Sequence, residues 1–372
     1  MRPAFASIQQ AAGFAFLLLV LLTLPVLLTQ SLLPPRGQIY SWSGWDTTGA
    51  HPYNHQQIFE EKGDIDIAFI GSSRMEFGID TPQVQEKLSE MLGHPATVRT
   101  IAWGGAGFDQ LYFVAKDLLE HRKVKMLVFY DEYRVDNVPN SMAPNYFRFA
   151  DDAELLTGLP VRLKLAYYYA AILGMPKNLL ALIRPAFPAD MDPKKRNFIE
   201  KGFHTENIVE HLGSFASRLG FNPNPDLYDY GPFIPYTPET PAQPSDVVIY
   251  SPETKDQFQF PGPPLPAWQL QFARKFASLA QQHRVKLVLL HFPAASDVRS
   301  TVIQEREFWP DALQVDVAMV GIPTSLLFKG QTDDEKYELF TNEHHMNKNG
   351  QTYFTSLITP ALLKIYADQT NH

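Results

Sequence analysis

Two short segments, far apart in the chain, carry side chains that together can transfer an acyl group. Gly71-Ser72-Ser73 closes the apolar run Ile65 to Ile70. Asn342-Glu343-His344-His345-Met346-Asn347 precedes Gly350 and a final apolar helical pattern. A serine hydroxyl is a poor nucleophile at neutral pH and needs a base within hydrogen-bond reach. A serine at the carboxyl end of a first strand, with a histidine on the loop before the last helix, supplies that pair. Ser-Ser after a strand is also ordinary turn chemistry. It is the order and placement of the two segments, more than either alone, that points to a nucleophile and its base.

The elements that must position them alternate between strand and helix. Ile65 to Ile70 reads as a buried strand, and Val98 to Ala102 and Val124 to Tyr130 as two more. Between them lie helical stripes. One starts at Asp80-Thr81-Pro82, a capping side chain with proline in the first turn, and continues through Val84, Leu88, Met91 and Leu92. The other runs over residues 108–120 through Leu111, Ala115 and Leu118. Strands separated by helices of this length imply a parallel sheet covered on both faces, a three-layer flavodoxin-like α/β fold. The pattern breaks after Asp136. Leu159 to Phe187 reads as helix, with Tyr167, Tyr168 and Tyr169 among flanking cations. Prolines then recur from Asn222 to Pro266 and favour extended backbone. The α/β pattern returns with the stripe Trp268, Phe272, Phe276, Leu279, a strand from Val285 to Leu290, an expected last strand at Thr324 to Phe328, and a helix from Gln351 bent at Pro360.

The chain has 372 residues, a net charge of −8, and no cysteine. The absence of cysteine excludes disulfides, thiol nucleophiles and cysteine-based zinc sites. The charge and the lack of a basic block argue against nucleic acid as a partner. His204 and His211 do not match H-E-x-x-H spacing, and neighbours such as His344 and His345 point apart on a loop, so no metal is expected. From Ala11 to Leu33 there is no charged residue, a length that spans a lipid bilayer as a helix. A cleaved signal peptide is the rival reading, but no A-x-A site follows before Pro34-Pro35. Arg2 favours a cytoplasmic amino terminus and an exported main domain, periplasmic or extracellular. The expected organisation is a tail and transmembrane anchor (1–36), a linker (37–63), an α/β domain in two parts (64–136 and 267–372), and an inserted helical and Pro-rich cap (137–266).

Strand ends of a parallel sheet collect functional groups, and three such ends stand out: Gly71 to Arg74, Trp103-Gly104-Gly105-Ala106-Gly107, and Tyr130-Asp131-Glu132-Tyr133. Met75 stands where the G-x-S-x-G elbow needs its second glycine, against an α/β-hydrolase. The three segments together resemble the SGNH (GDSL-type) hydrolase and acyltransferase superfamily over roughly residues 64–366. Gly71-Ser72-Ser73 resembles its first block, with Ser73 as nucleophile. Trp103 to Gly107 resembles its second, with the Gly105 amide in the oxyanion hole beside that of Ser73. His345-Met346-Asn347 with Gly350 resembles its last, with His345 as base. The phrase Gly71 to Arg74 followed by Gly78-Ile79-Asp80 is similar to membrane-anchored members, the alginate O-acetylation and teichoic acid D-alanyl-transfer proteins.

The resemblance implies an exported serine acyltransferase or esterase acting on a cell-envelope polysaccharide. It implies a polysaccharide or acyl donor as substrate, a membrane-bound O-acyltransferase as partner, and no metal or organic cofactor. The chain departs from the pattern at two places. Asn342 stands where the family has an acid, leaving Asn342, the adjacent Glu343, or a simple Ser-His dyad as alternatives. The third block has no asparagine for the oxyanion hole; Glu132 there orients another group or pairs with Arg74. Arg74, Trp103 and Glu132 are the candidate substrate-binding side chains; an ion pair of Arg74 with Asp80 or Glu132 is the alternative for that residue. A non-catalytic binding or assembly subunit of an O-acyltransferase complex is the rival function.

Overall fold

The run ending in Gly71-Ser72 forms strand β1 (Ile65–Ser72), buried at every position, as a strand with helices on both faces must be. A computed structural model of the chain describes residues 5–24, 33, 35–37, 54–103, 105, 107–130, 139–140, 143–183, 236–249, 265–295, 313–340 and 344–370. The chain forms two compact units. One comprises Ser43–Asn137 with Asp190–His372, and the other Met1–Trp42 with Val138–Ala189.

In the first unit β1 runs directly into a short helix, α1 (Ser73–Gly78), and then α2 (Thr81–Leu92). The Asp80 carboxylate caps α2 by accepting from the Gln83 amide at 3.2 Å, with Pro82 in the first turn. Strand β2 (Val98–Trp103), helix α3 (Phe108–His121) and strand β3 (Val124–Tyr130) follow as the hydrophobic periods imply. The chain returns with β4 (Val248–Ile249), α4 (Ala267–Gln282), β5 (Lys286–Leu290), β6 (Ala318–Gly321), α5 (Thr324–Leu327), α6 (Asp333–Tyr337) and α7 (Lys348–Thr370). The strand order is β2-β1-β3-β5-β6-β4, parallel throughout except for β4, which pairs antiparallel with β6. This is an α/β fold of the flavodoxin-like kind.

Alternation along the strands divides the core. Ile67, Phe69, Met126, Val128, Val288 and Val320 face a cluster with Val84 and Leu88 of α2 and Phe354, Ile358 and Leu362 of α7. On the other face Phe129 meets Phe276 of α4 edge-on, centroids 4.9 Å apart.

Two expectations change. The last strand is not Thr324–Phe328 but Ala318–Gly321; Thr324–Leu327 is a helical turn that starts after Pro323. Pro323 stands at the cap of this turn, its carbonyl accepting from the Leu326 and Leu327 amides at 2.8 and 2.9 Å, and the strand before it is too short to announce itself by periodicity. Within the Pro-rich stretch, Val248–Ile249 rejoin the sheet as its antiparallel edge, where prolines nearby cost no ladder bonds. Helix α7 continues through Pro360.

In the second unit, the uncharged amino-terminal run is helical over Ile8–Thr23, with Ser7 accepting from the Gln10 amide. Its Phe14, Phe16, Leu17, Leu18 and Leu19 are exposed. Its 16 residues reach about 24 Å at ~1.5 Å per residue, short of a ~30 Å hydrocarbon core. Among the described residues no helix is long and apolar enough to cross a membrane; residues 25–32 of the expected span lie outside them. The buried Arg36 guanidinium lies 3.6 Å from the Asp152 carboxylate. The helix Val161–Ile183 buries Leu163, Tyr167 and Ala171, and Tyr167 packs edge-on against Phe147. Tyr169 is exposed.

Candidate active site

Ser73 is the first residue of α1, held where β1 ends. The tight strand-to-helix turn needs a cap, and Ser72 provides it: its hydroxyl accepts from the Arg74 amide at 3.3 Å. The same hydroxyl is hydrogen-bonded to the Tyr130 phenol at the end of β3. Tyr130 can lie this close only because residue 71 is glycine. A Cβ there would stand 2.8 Å from the Tyr130 ring.

The histidine loop is brought to this place by α7. Gln351 donates to the Ile79 carbonyl at 3.2 Å, and the Thr355 hydroxyl accepts from the Asp80 amide at 2.9 Å. Lys348 lies 3.7 Å from the Asp80 carboxylate. The loop itself is closed by Asn347, whose amide nitrogen donates to the Leu339 carbonyl at 3.1 Å and whose side chain donates to the Glu338 carbonyl at 2.7 Å. The Asn347 side-chain oxygen accepts from the Gly350 amide at 3.1 Å. Asn347 thereby ties the loop to the start of α7.

With both supports in place, Ser73 Oγ lies 2.9 Å from His345 Nε2, across 272 positions of sequence. In the tautomer with the ring proton on Nδ1, Ser73 donates to Nε2, which is the arrangement a general base requires. Ser73 is 6% exposed, and the His345 ring meets Phe77 edge-on at 5.6 Å. The pKa of His345 is lowered from 6.5 to about 3, first by burial, then by the positive charge of Arg74 and by His344. The imidazole is therefore neutral at physiological pH, ready to accept a proton but receiving no help from these neighbours in holding it.

Arg74 is buried, and its Nη2 donates to the Phe292 carbonyl at 2.6 Å, just past β5. The guanidinium also lies 5.6 Å from the Tyr130 ring centroid and 5.7 Å from that of Phe292. Asp80, one of the ion-pair partners expected for Arg74, instead caps α2 and faces Lys348.

Gly105 has φ +85, a conformation that favours glycine, and is exposed beside the β2 end. Asn342, Glu343 and Glu132, named from the sequence as third catalytic member and site residues, lie outside the described residues, as do Gly104 and Ala106. Trp103 ends β2 with its ring buried. It lines a small recess together with Gly71, Ser72, Gly107, Phe108, Leu111 and Tyr130. Among the described residues no group of three or more His, Asp or Glu side chains is placed to hold a metal ion.

Sequence reasoning did not find the Ser72–Tyr130 bond or the Phe292 carbonyl. The first had a signal, a tyrosine ending an apolar strand, whose hydroxyl needs a partner when buried. The second had none, because a main-chain acceptor is invisible in side-chain patterns. No protein-family model, no curated protein and no solved structure matches the chain, and what it does must be argued from the site itself.

Proposed function

We propose that the chain is an SGNH-like serine acyltransferase or acylesterase, anchored in the membrane through residues 11–33, exported, and acting on a cell-envelope polysaccharide. The observation that carries this reading is the 2.9 Å contact between Ser73 Oγ and His345 Nε2 at the carboxyl end of a central parallel strand. Sheet position alone would not suffice, since one fold serves many functions.

Ser73 Oγ attacks the ester carbonyl carbon while its proton passes to His345 Nε2. The main-chain amides of Ser73 and Gly105 donate to the oxyanion. The tetrahedral intermediate collapses, the imidazolium returns the proton to the departing alkoxide, and an acyl-serine remains. A sugar hydroxyl or a water then attacks the acyl carbon as His345 takes its proton, and collapse of the second tetrahedral intermediate expels Ser73 Oγ, which takes that proton back from the imidazolium. A membrane-bound O-acyltransferase is the partner this reading expects to deliver the acyl group.

One observation favours a second reading, a non-catalytic binding or assembly subunit of such a complex. Burial and the Arg74 cation hold His345 near a pKa of about 3, far below the operating pH at which a general base is most effective. A serine-directed fluorophosphonate separates the two. Labelling of the intact protein that disappears in Ser73→Ala supports catalysis; an unlabelled wild-type protein with normal folding supports the binding subunit.

A further inference from the structure

The helix Val161–Ile183 carries two apolar faces, and the fold buries one of them. Leu163, Tyr167 and Ala171 recur every four residues and are buried. Phe147 packs edge-on against Tyr167 and Tyr168, centroids 5.9 and 5.3 Å away. Val161, Leu165, Tyr169 and Leu173 recur at the same spacing on the opposite side, and each is at least 60% exposed. At ~1.5 Å per residue this stripe is about 18 Å long. Every large apolar side chain left exposed among the described residues, Met91 excepted, lies on this helix or on and beside the helix Ile8–Thr23. Both helices belong to the same compact unit. Single exposed apolar residues are ordinary, but a continuous stripe marks a contact surface.

Charge and connectivity identify what covers it. Between Glu154 and Asp190 the chain has no acidic residue but carries Arg162, Lys164, Lys177 and Arg184, in a protein of net charge −8. Arg162 is exposed and Lys164 half-buried at the start of the stripe. Aliphatic and aromatic side chains flanked by cations are the composition of a helix lying in a lipid headgroup region. A second copy laid on the same face would bring these cations together, with no carboxylate of the segment to offset them. The helix is also tied to the uncharged amino-terminal run. Arg36, three residues past Leu33, is buried, and its Nη1 donates to the Tyr146 carbonyl at 3.4 Å. The next residue, Phe147, is the one that packs against Tyr167. Where residues 11–33 enter a bilayer, these contacts hold the helix close to their exit.

Resting on the membrane anchor proposed above, we propose that the face formed by Val161, Leu165, Tyr169 and Leu173 lies in the headgroup–acyl boundary of a bilayer containing anionic lipid, with Arg162 and Lys164 on the lipid phosphates. The helix lies along the surface and does not cross it, because its other face is buried against protein. The anchor makes this second contact intramolecular, so weak lipid binding by the helix suffices. Two attachments in place of one fix how this unit is oriented on the membrane.

The chain has no cysteine, so a single introduced thiol carries a label without ambiguity. Full-length Leu165→Cys, Leu173→Cys, Phe16→Cys and Met91→Cys proteins, each labelled with nitrobenzoxadiazole, are reconstituted in vesicles of phosphatidylcholine and phosphatidylglycerol, with and without lipid spin-labelled on its acyl chains. All four side chains are exposed, so the substitutions leave the core intact. Spin-labelled lipid is expected to quench the labels at positions 165 and 173 by roughly two-fold or more relative to position 91, as burial at the acyl boundary requires. Leaving out phosphatidylglycerol is expected to reduce that quenching by roughly two-fold, as for basic segments on anionic leaflets. Equal quenching in the two kinds of vesicle overturns the anionic partner. No excess quenching at 165 and 173, with position 16 quenched, overturns the docking and leaves the anchor standing. Shielding of 165 and 173 from aqueous iodide without quenching by lipid means that a second copy covers the stripe, and also overturns it. An unquenched position 16 overturns the anchor, and quenching at 165 and 173 then upholds the docking by itself.

Discussion

The carbonyl oxygen of Leu339 occupies the space a side chain on Gly350 would need: a Cβ there would lie 2.0 Å from that oxygen. The ten-residue return between them carries His345, so this contact sets how far the histidine loop can approach Ser73. The obstruction is main chain, which cannot rotate away as a flexible side chain would. Gly350→Ala should therefore push the loop outward, at a cost of about 1–3 kcal/mol for overpacking. Ester hydrolysis should fall at least ten-fold along with the urea midpoint; a variant with full activity and an unchanged midpoint would show that the loop tolerates the shift.

Ser73→Ala and His345→Ala should each abolish turnover of a simple aryl acetate. The double variant should be no worse than either single one, because a nucleophile and its base act as a unit. Circular dichroism should show the fold retained in all three. Additive losses would mean that the two side chains contribute independently.

The lowered pKa of His345 makes stability depend on pH. Its folded value of about 3 lies below the unfolded value near 6.5. Between these two values the unfolded chain binds the proton and the folded protein does not, so stability falls as pH drops through this window. The slope is about 1.4 kcal/mol per pH unit. Going from pH 7 to pH 5 should cost wild-type protein about 2 kcal/mol more than it costs His345→Gln. Denaturant midpoints at the two pH values measure this; parallel curves for the two proteins would show that the ring is not desolvated as described.

A second titratable group lies at the opposite, amino-terminal end of the sheet and should affect stability alone. Asp66 accepts from the Thr97 amide at 2.8 Å, from Lys125 at 2.7 Å and from the Tyr366 hydroxyl at 2.7 Å. Burial raises its pKa, but the hydrogen bonds from Lys125, Thr97 and Tyr366 together outweigh this and leave it lowered. A depressed carboxyl stabilises the fold above its unfolded pKa and loses that contribution as pH falls through the folded value. Asp66→Asn should cost about 1–3 kcal/mol at pH 7 and progressively less as pH falls through the depressed folded value, with kcat unchanged. A loss of kcat matching that of Ser73→Ala would show that the two ends of the sheet are coupled.

Much of this molecule follows from local sequence. Continuous apolar runs bounded by helical stripes specify β1, β2, β3 and β5, since a strand covered on both faces has no polar side to show. Asp80 and Pro82 mark the start of α2 because capping is chemistry between near neighbours. The pairing of Ser73 with His345 was legible for a topological reason: parallel strands put their carboxyl ends on one edge. Other features needed the fold. The two-residue β4 and four-residue β6 carry too few positions for a period to show, and their pairing depends on the strand beside them. The partners of Arg74 and Ser72, the Phe292 carbonyl and the Tyr130 hydroxyl, come from separate strand ends that only sheet order makes adjacent. The close approaches at Gly71 and Gly350 were decided by packing across the tertiary structure, because the space each glycine leaves empty is filled by Tyr130 and Leu339, neither of them a near neighbour in the chain. The low pKa of His345 belongs to the same class. Burial and the nearness of a buried guanidinium are properties of the assembled site, and no histidine announces them in sequence.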